Sequence, residues 1–136
     1  MEIETKRTII RVRLEKAKGD LASADALLKI EHWRAAVNRA YYAIFHFATA
    51  VLLWSDIERN KHSAVQSAFH QFLIKPGNIE AEYGVIFNSS RSWREDQDYS
   101  DLPKDLNKSL AEQIVSDAER FITRLERYLR EQGAIE

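Results

Sequence analysis

The chain has no cysteine, only two prolines and four glycines among 136 residues, and no excess of either charge. Without cysteine there is no disulfide framework and no thiolate metal site, which fits a reducing, cytoplasmic setting. With so little proline and glycine, few points can break a helix, and alanine, leucine, glutamate, lysine and arginine are abundant. A formal net charge of −1 gives no global signature of nucleic-acid binding, so any RNA contact has to rest on a local patch. The longest unbroken apolar run near the middle, Ala40 to Phe45, is too short to span a bilayer. The first residues, Met-Glu-Ile-Glu-Thr-Lys-Arg, lack the apolar region of a secretion signal. No glycine-rich phosphate loop and no serine or cysteine triad is present. The four histidines have no paired carboxylates at metal-ligand spacing, so no metal and no cofactor is expected.

What is present reads as helix. Ile10, Leu14, Ala17, Leu21, Ala24 and Leu28 alternate in steps of four and three, which predicts one helix from about Thr5 to Ile30. A second, from about His32 to Ser55, follows so closely that the two must form an antiparallel hairpin. A third begins near Lys61, carries His62, Val65, Phe69 and Phe72 on one face, and stops at Lys75-Pro76-Gly77. A short helix is predicted over about Ile79–Ser90, then a charged loop over 91–106 punctuated by Pro103. The last helix is predicted to start at the capping box Ser109-Leu110-Ala111-Glu112 and to bury Leu110, Ile114, Ala118, Phe121, Leu125 and Tyr128. The expected architecture is a single all-α domain over residues 1–136, an up-down four-helix bundle with one additional short helix.

The second helix is apolar almost all round, yet it holds Asn38, Arg39 and His46. Such a helix belongs at the centre of a bundle or at a subunit interface, where a buried polar group left without a partner costs about 1–3 kcal/mol. Arg39 and His46, two turns apart, share a face with Tyr42. They read either as a phosphate-binding arginine with a general base, or as a polar ladder bonded to neighbouring helices or to Asp98. Trp93, placed in a charged segment, reads as an interface anchor. Together with the second helix it points to a homodimer.

The run Ala35-x-x-Asn38-Arg39-Ala40-Tyr41-Tyr42-Ala43-x-Phe45-His46, followed by Val51-Leu52-Leu53, resembles the signature helix of HEPN domains, named for higher eukaryotes and prokaryotic nucleotide-binding proteins. Lys61-His62-Ser63-Ala64-Val65 with Phe69 and Phe72, the Lys75-Pro76-Gly77 break, Arg94-x-x-x-Asp98-Tyr99 and Ala118-Glu119-Arg120-Phe121-Ile122 resemble further pieces of its small stand-alone prokaryotic branch, in the same order. The resemblance implies the helical fold. It also implies pairing with a minimal nucleotidyltransferase in a toxin–antitoxin or stress-response system. Nuclease members carry an arginine, four to six residues, then a histidine, and two such motifs meet across a dimer to cleave RNA without metal. Here Asp98 follows Arg94 and Arg91 where that histidine is expected.

An ordinary aspartate, with a pKa near 4, is a poor base at neutral pH. The sequence therefore favours an interaction or RNA-binding module. The alternative is a metal-independent endoribonuclease that uses Arg39 and His46, or Arg94 with Tyr99 and a histidine recruited in space. The candidate catalytic residues are accordingly Arg39, His46, Arg94, Asp98 and Tyr99. Arg7, Arg11 and Lys18 share a basic face of the first helix, and Lys61 and His62 stand at a helix N-terminus. These five are the candidates for contact with RNA or a nucleotide.

Overall fold

A computed structural model describes all residues 1–136. It contains five helices and no strand: α1 (Ile3–Lys29), α2 (Trp33–Trp54), α3 (His62–Phe69), α4 (Ala81–Tyr99) and α5 (Lys108–Glu131). A π-helical turn over His70–Ile74 extends α3. The expected all-α bundle is what forms, and no helix is long and apolar enough to cross a membrane.

α1 and α2 make the predicted hairpin. The connection closes because Glu31 takes a left-handed conformation, φ 63°, and the amides of Glu31 and His32 donate to the carbonyls of Leu28 and Leu27. α2 is the central helix. α1, α3, α4 and α5 all pack on it, and twelve of its residues are buried, Val37, Tyr41, Ile44 and Phe47 among them. Its all-round apolar character is thus accounted for within one chain. Beneath it Phe69, Phe87 and Phe121 pack together in tilted and edge-to-face contacts, with ring centroids 5.3–5.9 Å apart.

Three sequence expectations are corrected. The charged segment after Ser90 is not a loop: α4 continues to Tyr99. No proline or glycine falls between Arg91 and Tyr99, Arg91 and Glu95 pair one turn apart at 2.8 Å, and Trp93 packs its ring against the core. The helix ends where Ser100 turns extended and the Asp96 carboxylate accepts the backbone amide of Lys104. α5 is capped not by Ser109 but by Asn107, whose Oδ1 accepts the Leu110 amide at 2.9 Å. Phe72 does not join the buried face of α3. The π turn bonds each amide five residues back, as from Lys75 to His70, and this widening puts Leu73 into the core and leaves Phe72 partly exposed. Gly84 faces that turn; a Cβ there would come within 3.3 Å of His70 Nδ1 and Ile74 Cγ1.

Candidate functional site

The polar residues of α2 fall into two linked clusters on either side of Tyr42. In the first, the Asn38 side chain works in both directions. Its Nδ2 donates to Asp98 of α4 at 2.8 Å, and its Oδ1 accepts from Arg39 Nε and Nη2 at 3.0 and 2.8 Å. Arg39 also reaches α1, donating from Nη1 to Asp20 Oδ1 at 3.0 Å, and its guanidinium lies 5.0 Å from the Tyr42 ring centre. The other oxygen of Asp20 is 3.6 Å from His46 Nε2. Arg39 and His46 therefore do share a face, but both are turned onto one carboxylate. Asp98 forms its hydrogen bond with Asn38, and no ion pair joins it to Arg39 or Arg94. The ladder Asp20–Arg39–Asn38–Asp98 ties α1, α2 and α4 together.

The second cluster is built around Arg94. α4 carries this side chain inward until it is 5 % exposed, and no carboxylate accompanies it. Its guanidinium rests on aromatic faces instead, 4.7 Å from the Tyr41 ring centre and 5.6 Å from those of Tyr42 and Tyr99. Its polar contacts are long: Nη1 to the Tyr99 hydroxyl and Nη2 to His62 Nδ1, both 3.4 Å, with Nε unpartnered. His62 comes from the first turn of α3, and its ring stacks on Phe45 at 4.3 Å. The Tyr41 hydroxyl meets His62 Nδ1 at 2.8 Å. Tyr42 contacts both clusters, edge-on to His62 and tilted over His46. The structure thus brings Arg94, Tyr99 and His62 together, and separately Arg39, His46 and Asp98 through Asp20 and Asn38.

The protonation states follow from these contacts. Burial pushes the Tyr41 hydroxyl up to about 12, against the opposing charge of Arg94, so it stays a neutral phenol. Burial lowers the pKa of His62, and the charges of Arg94 and Arg91 lower it further. A neutral imidazole has one acceptor nitrogen, and a guanidinium can only donate. With Tyr41 and Arg94 both directed at Nδ1, that nitrogen accepts and Nε2 carries the proton. In this arrangement the cluster presents donors: a guanidinium and an imidazole N–H. That suits holding an anion rather than abstracting a proton.

His46 is likewise held below the ordinary imidazole value, by burial first, with Asp20 opposing. The unfolded chain therefore binds protons at both histidines at a pH where the folded chain does not. The stability owed to their neutral burial is complete above the unfolded imidazole pKa, about 6.5. It is lost as pH falls through the lower folded values. Thermal melts are expected to show a midpoint that falls as pH drops below about 6.5, and a flatter profile in the His46→Gln, His62→Gln double variant. Identical profiles for the two proteins would show that neither histidine is coupled to folding.

Two of the three basic candidates of α1, Arg7 and Lys18, are already paired with carboxylates, whereas Arg11 makes no ion pair. Arg7 donates to Glu4 at 2.8 Å and to the Gly133 carbonyl, and Lys18 pairs with Glu126 at 2.6 Å. Arg11 lines the same groove beside Glu15 and Glu136. Lys61 stands exposed just before α3. Sequence reasoning missed Asp20, which organises the first cluster. Its only signal is a carboxylate inside the apolar stripe of α1, between Ala17 and Leu21. It also missed Tyr41 as the partner of His62, because Tyr41 reads as core. No three histidine, aspartate or glutamate side chains converge as a metal site.

Comparison with known proteins agrees with this architecture. The family model described as the HEPN domain matches residues 10–128. A Methanocaldococcus jannaschii protein named "Putative toxin MJ0605" is 37 % identical over 126 residues, 92 % of each chain. A "UPF0332 protein" of Thermotoga maritima is 32 % identical over 126 residues, 93 % of this chain and 95 % of its own. A second M. jannaschii protein, "Putative toxin MJ0142", is 30 % identical over 129 residues, 95 % of this chain and 86 % of its own. With the signature helix at the centre of the bundle and these matches along nearly its whole length, the chain belongs to the HEPN domain family.

Proposed function

We propose that this chain is a toxin-type HEPN protein that binds single-stranded RNA, with a backbone phosphate seated on Arg94. The observation that carries the reading is the state of Arg94 itself: a buried guanidinium with no carboxylate and an unpartnered Nε. Burying an uncompensated charge is costly, and cation–π contacts offset only part of the cost. A phosphate supplies the missing anion in the bidentate geometry that arginine favours. The surrounding faces favour RNA over a bare anion. Tyr42, Phe45 and His62 are partly exposed, and Tyr99, 73 % exposed, lies over Arg94 as the group a strand would displace. Aromatic faces beside a cation are what unpaired bases stack on. The toxin names of two relatives point in the same direction.

The nearness of His62 to Arg94 supports a second reading, metal-independent cleavage, in which Nδ1 carries the proton and the Arg94 contact to that nitrogen is given up. It requires the Tyr41 hydroxyl to turn and accept from Nδ1–H. His62 Nε2 would then be free to take the 2′-hydroxyl proton while Arg94 stabilises charge at phosphorus. Radiolabelled RNA incubated with the protein and excess chelator separates the readings. A binding module shifts the RNA in a native gel and leaves its length unchanged. Cleavage that disappears in His62→Ala, with the fold intact by circular dichroism, would establish the nuclease. Absence of both binding and cleavage for every RNA tried would remove both.

A further inference from the structure

Beside the Arg94 cluster lies a groove that none of the sequence candidates apart from its neighbour His62 points to. Four surface cavities of about 500–720 Å³ stand out, and three are edged by carboxylates: Glu4 and Glu15, Glu119 and Glu126, or Asp25 and Glu112. The fourth, of about 500 Å³ between α3 with its π turn and α4, has no acidic residue in its lining. Its walls are Ser63, Gln66 and Gln71 on one side, Asn88 and Arg91 on the other, with Lys75 at one end. It lies against the site, since Ser63 follows His62 and Arg91 precedes Arg94 by one helical turn.

The side chains of this groove are arranged for hydrogen bonding. Arg91 Nη1 donates to Gln66 Oε1 at 2.9 Å, and Gln66 Nε2 donates to Asn88 Oδ1. The Nε of Arg91 is paired with Glu95, outside the groove. Lys75 is exposed and makes no ion pair. Behind the groove, His70 of the π turn packs closely on Gly84, where a Cβ would stand 3.3 Å from its Nδ1 and require the ring to shift. Amide side chains present both donors and acceptors, as base edges and 2′-hydroxyls require, and they are flanked by the unpaired Lys75 and by Arg91, whose Nε is held by Glu95 just outside the lining.

We propose that this groove carries the RNA strand away from Arg94, with Arg91 and Lys75 each holding a backbone phosphate and Gln66, Gln71 and Asn88 meeting base edges. The proposal rests on the reading of Arg94 as a phosphate site and extends it into a track several nucleotides long. It makes affinity depend on RNA length in a way that a single phosphate site does not.

Fluorescence anisotropy with end-labelled oligouridylates, a dinucleotide and a decamer, tests it on the full chain. Lys75→Glu is expected to weaken decamer binding about tenfold and to leave the dinucleotide unaffected. The slope of log affinity against log salt should become shallower by about 0.7, the share of one phosphate on a single strand. Lys29→Glu, an equal charge reversal outside the groove, is expected to change neither. Unchanged decamer affinity and slope in Lys75→Glu, or an equal weakening in Lys29→Glu, overturns the track. Arg94→Met reports on the underlying site and should weaken both lengths. Full affinity of that variant for both oligomers overturns the Arg94 site, while the Lys75 comparison still decides the groove.

Discussion

Arg94→Met is expected to lose RNA affinity by about thirtyfold, the effect of removing an arginine hot spot worth roughly 2 kcal/mol. It is also expected to leave the fold as stable as before, or more stable. The two halves of this result come from one feature. Arg94 is buried, has no carboxylate, and makes only 3.4 Å contacts through its terminal nitrogens. Methionine keeps the length of the side chain, packs against Tyr41 and Tyr42, and removes a charge that had to be desolvated. The cation–π interactions it gives up are worth about 0.5–2 kcal/mol, and the relieved desolvation is of several kcal/mol before relaxation. Urea denaturation of the two proteins measures the balance. A destabilisation above about 2 kcal/mol, within the range for breaking a buried polar network, would mean that Arg94 latches α4 to α2 and that its missing counter-ion is not a ligand.

Much of the fold is legible in the sequence because it depends on periodicity. The α1 stripe, the short connection to α2 and the α5 stripe require only that apolar residues recur at helical spacing. What the sequence hides depends on contacts between distant segments. Residues 91–99 look like a loop when charge is counted, but Arg91 pairs with Glu95, Trp93 packs inward, and the charges lie along a helix. Phe72 looks like core at a spacing of three from Phe69, until the π turn moves that position outward. The candidate site divides in the same way. Arg94 and Tyr99 stand out through their motif, and His62 through its position at a helix start, but nothing in one dimension says that α3 brings His62 to Arg94. The weight on Arg39 and His46 comes from spacing alone. The carboxylate that occupies them, Asp20, lies on another helix. Asp98 stands where a family histidine is expected, and its oxygen is taken up by Asn38 of the signature itself.

Tyr41 is where the structural and functional demands on that signature meet, and its replacement should have the largest effect on stability. The residue is fully buried, its ring lies against Tyr42, Phe45, Phe87 and His62, and its face supports Arg94. Truncation to alanine removes an aromatic ring from the centre of the bundle, a change that costs about 3–5 kcal/mol in comparable cores. It also removes the platform beneath the guanidinium. Tyr41→Phe keeps the ring and deletes only the hydroxyl that donates to His62 at 2.8 Å, so it should cost about 1 kcal/mol. The informative contrast lies between the two variants. If the hydroxyl also fixes the His62 tautomer, Tyr41→Phe weakens RNA binding while remaining well folded, because the Nε2–H donor is no longer enforced. If the hydroxyl serves only to fill a hydrogen bond, Tyr41→Phe binds RNA as the wild type does, and Arg94 alone is then enough to keep His62 Nδ1 an acceptor. Equal destabilisation by phenylalanine and alanine in urea melts would contradict the packing argument, since the ring and not the hydroxyl carries most of the buried area.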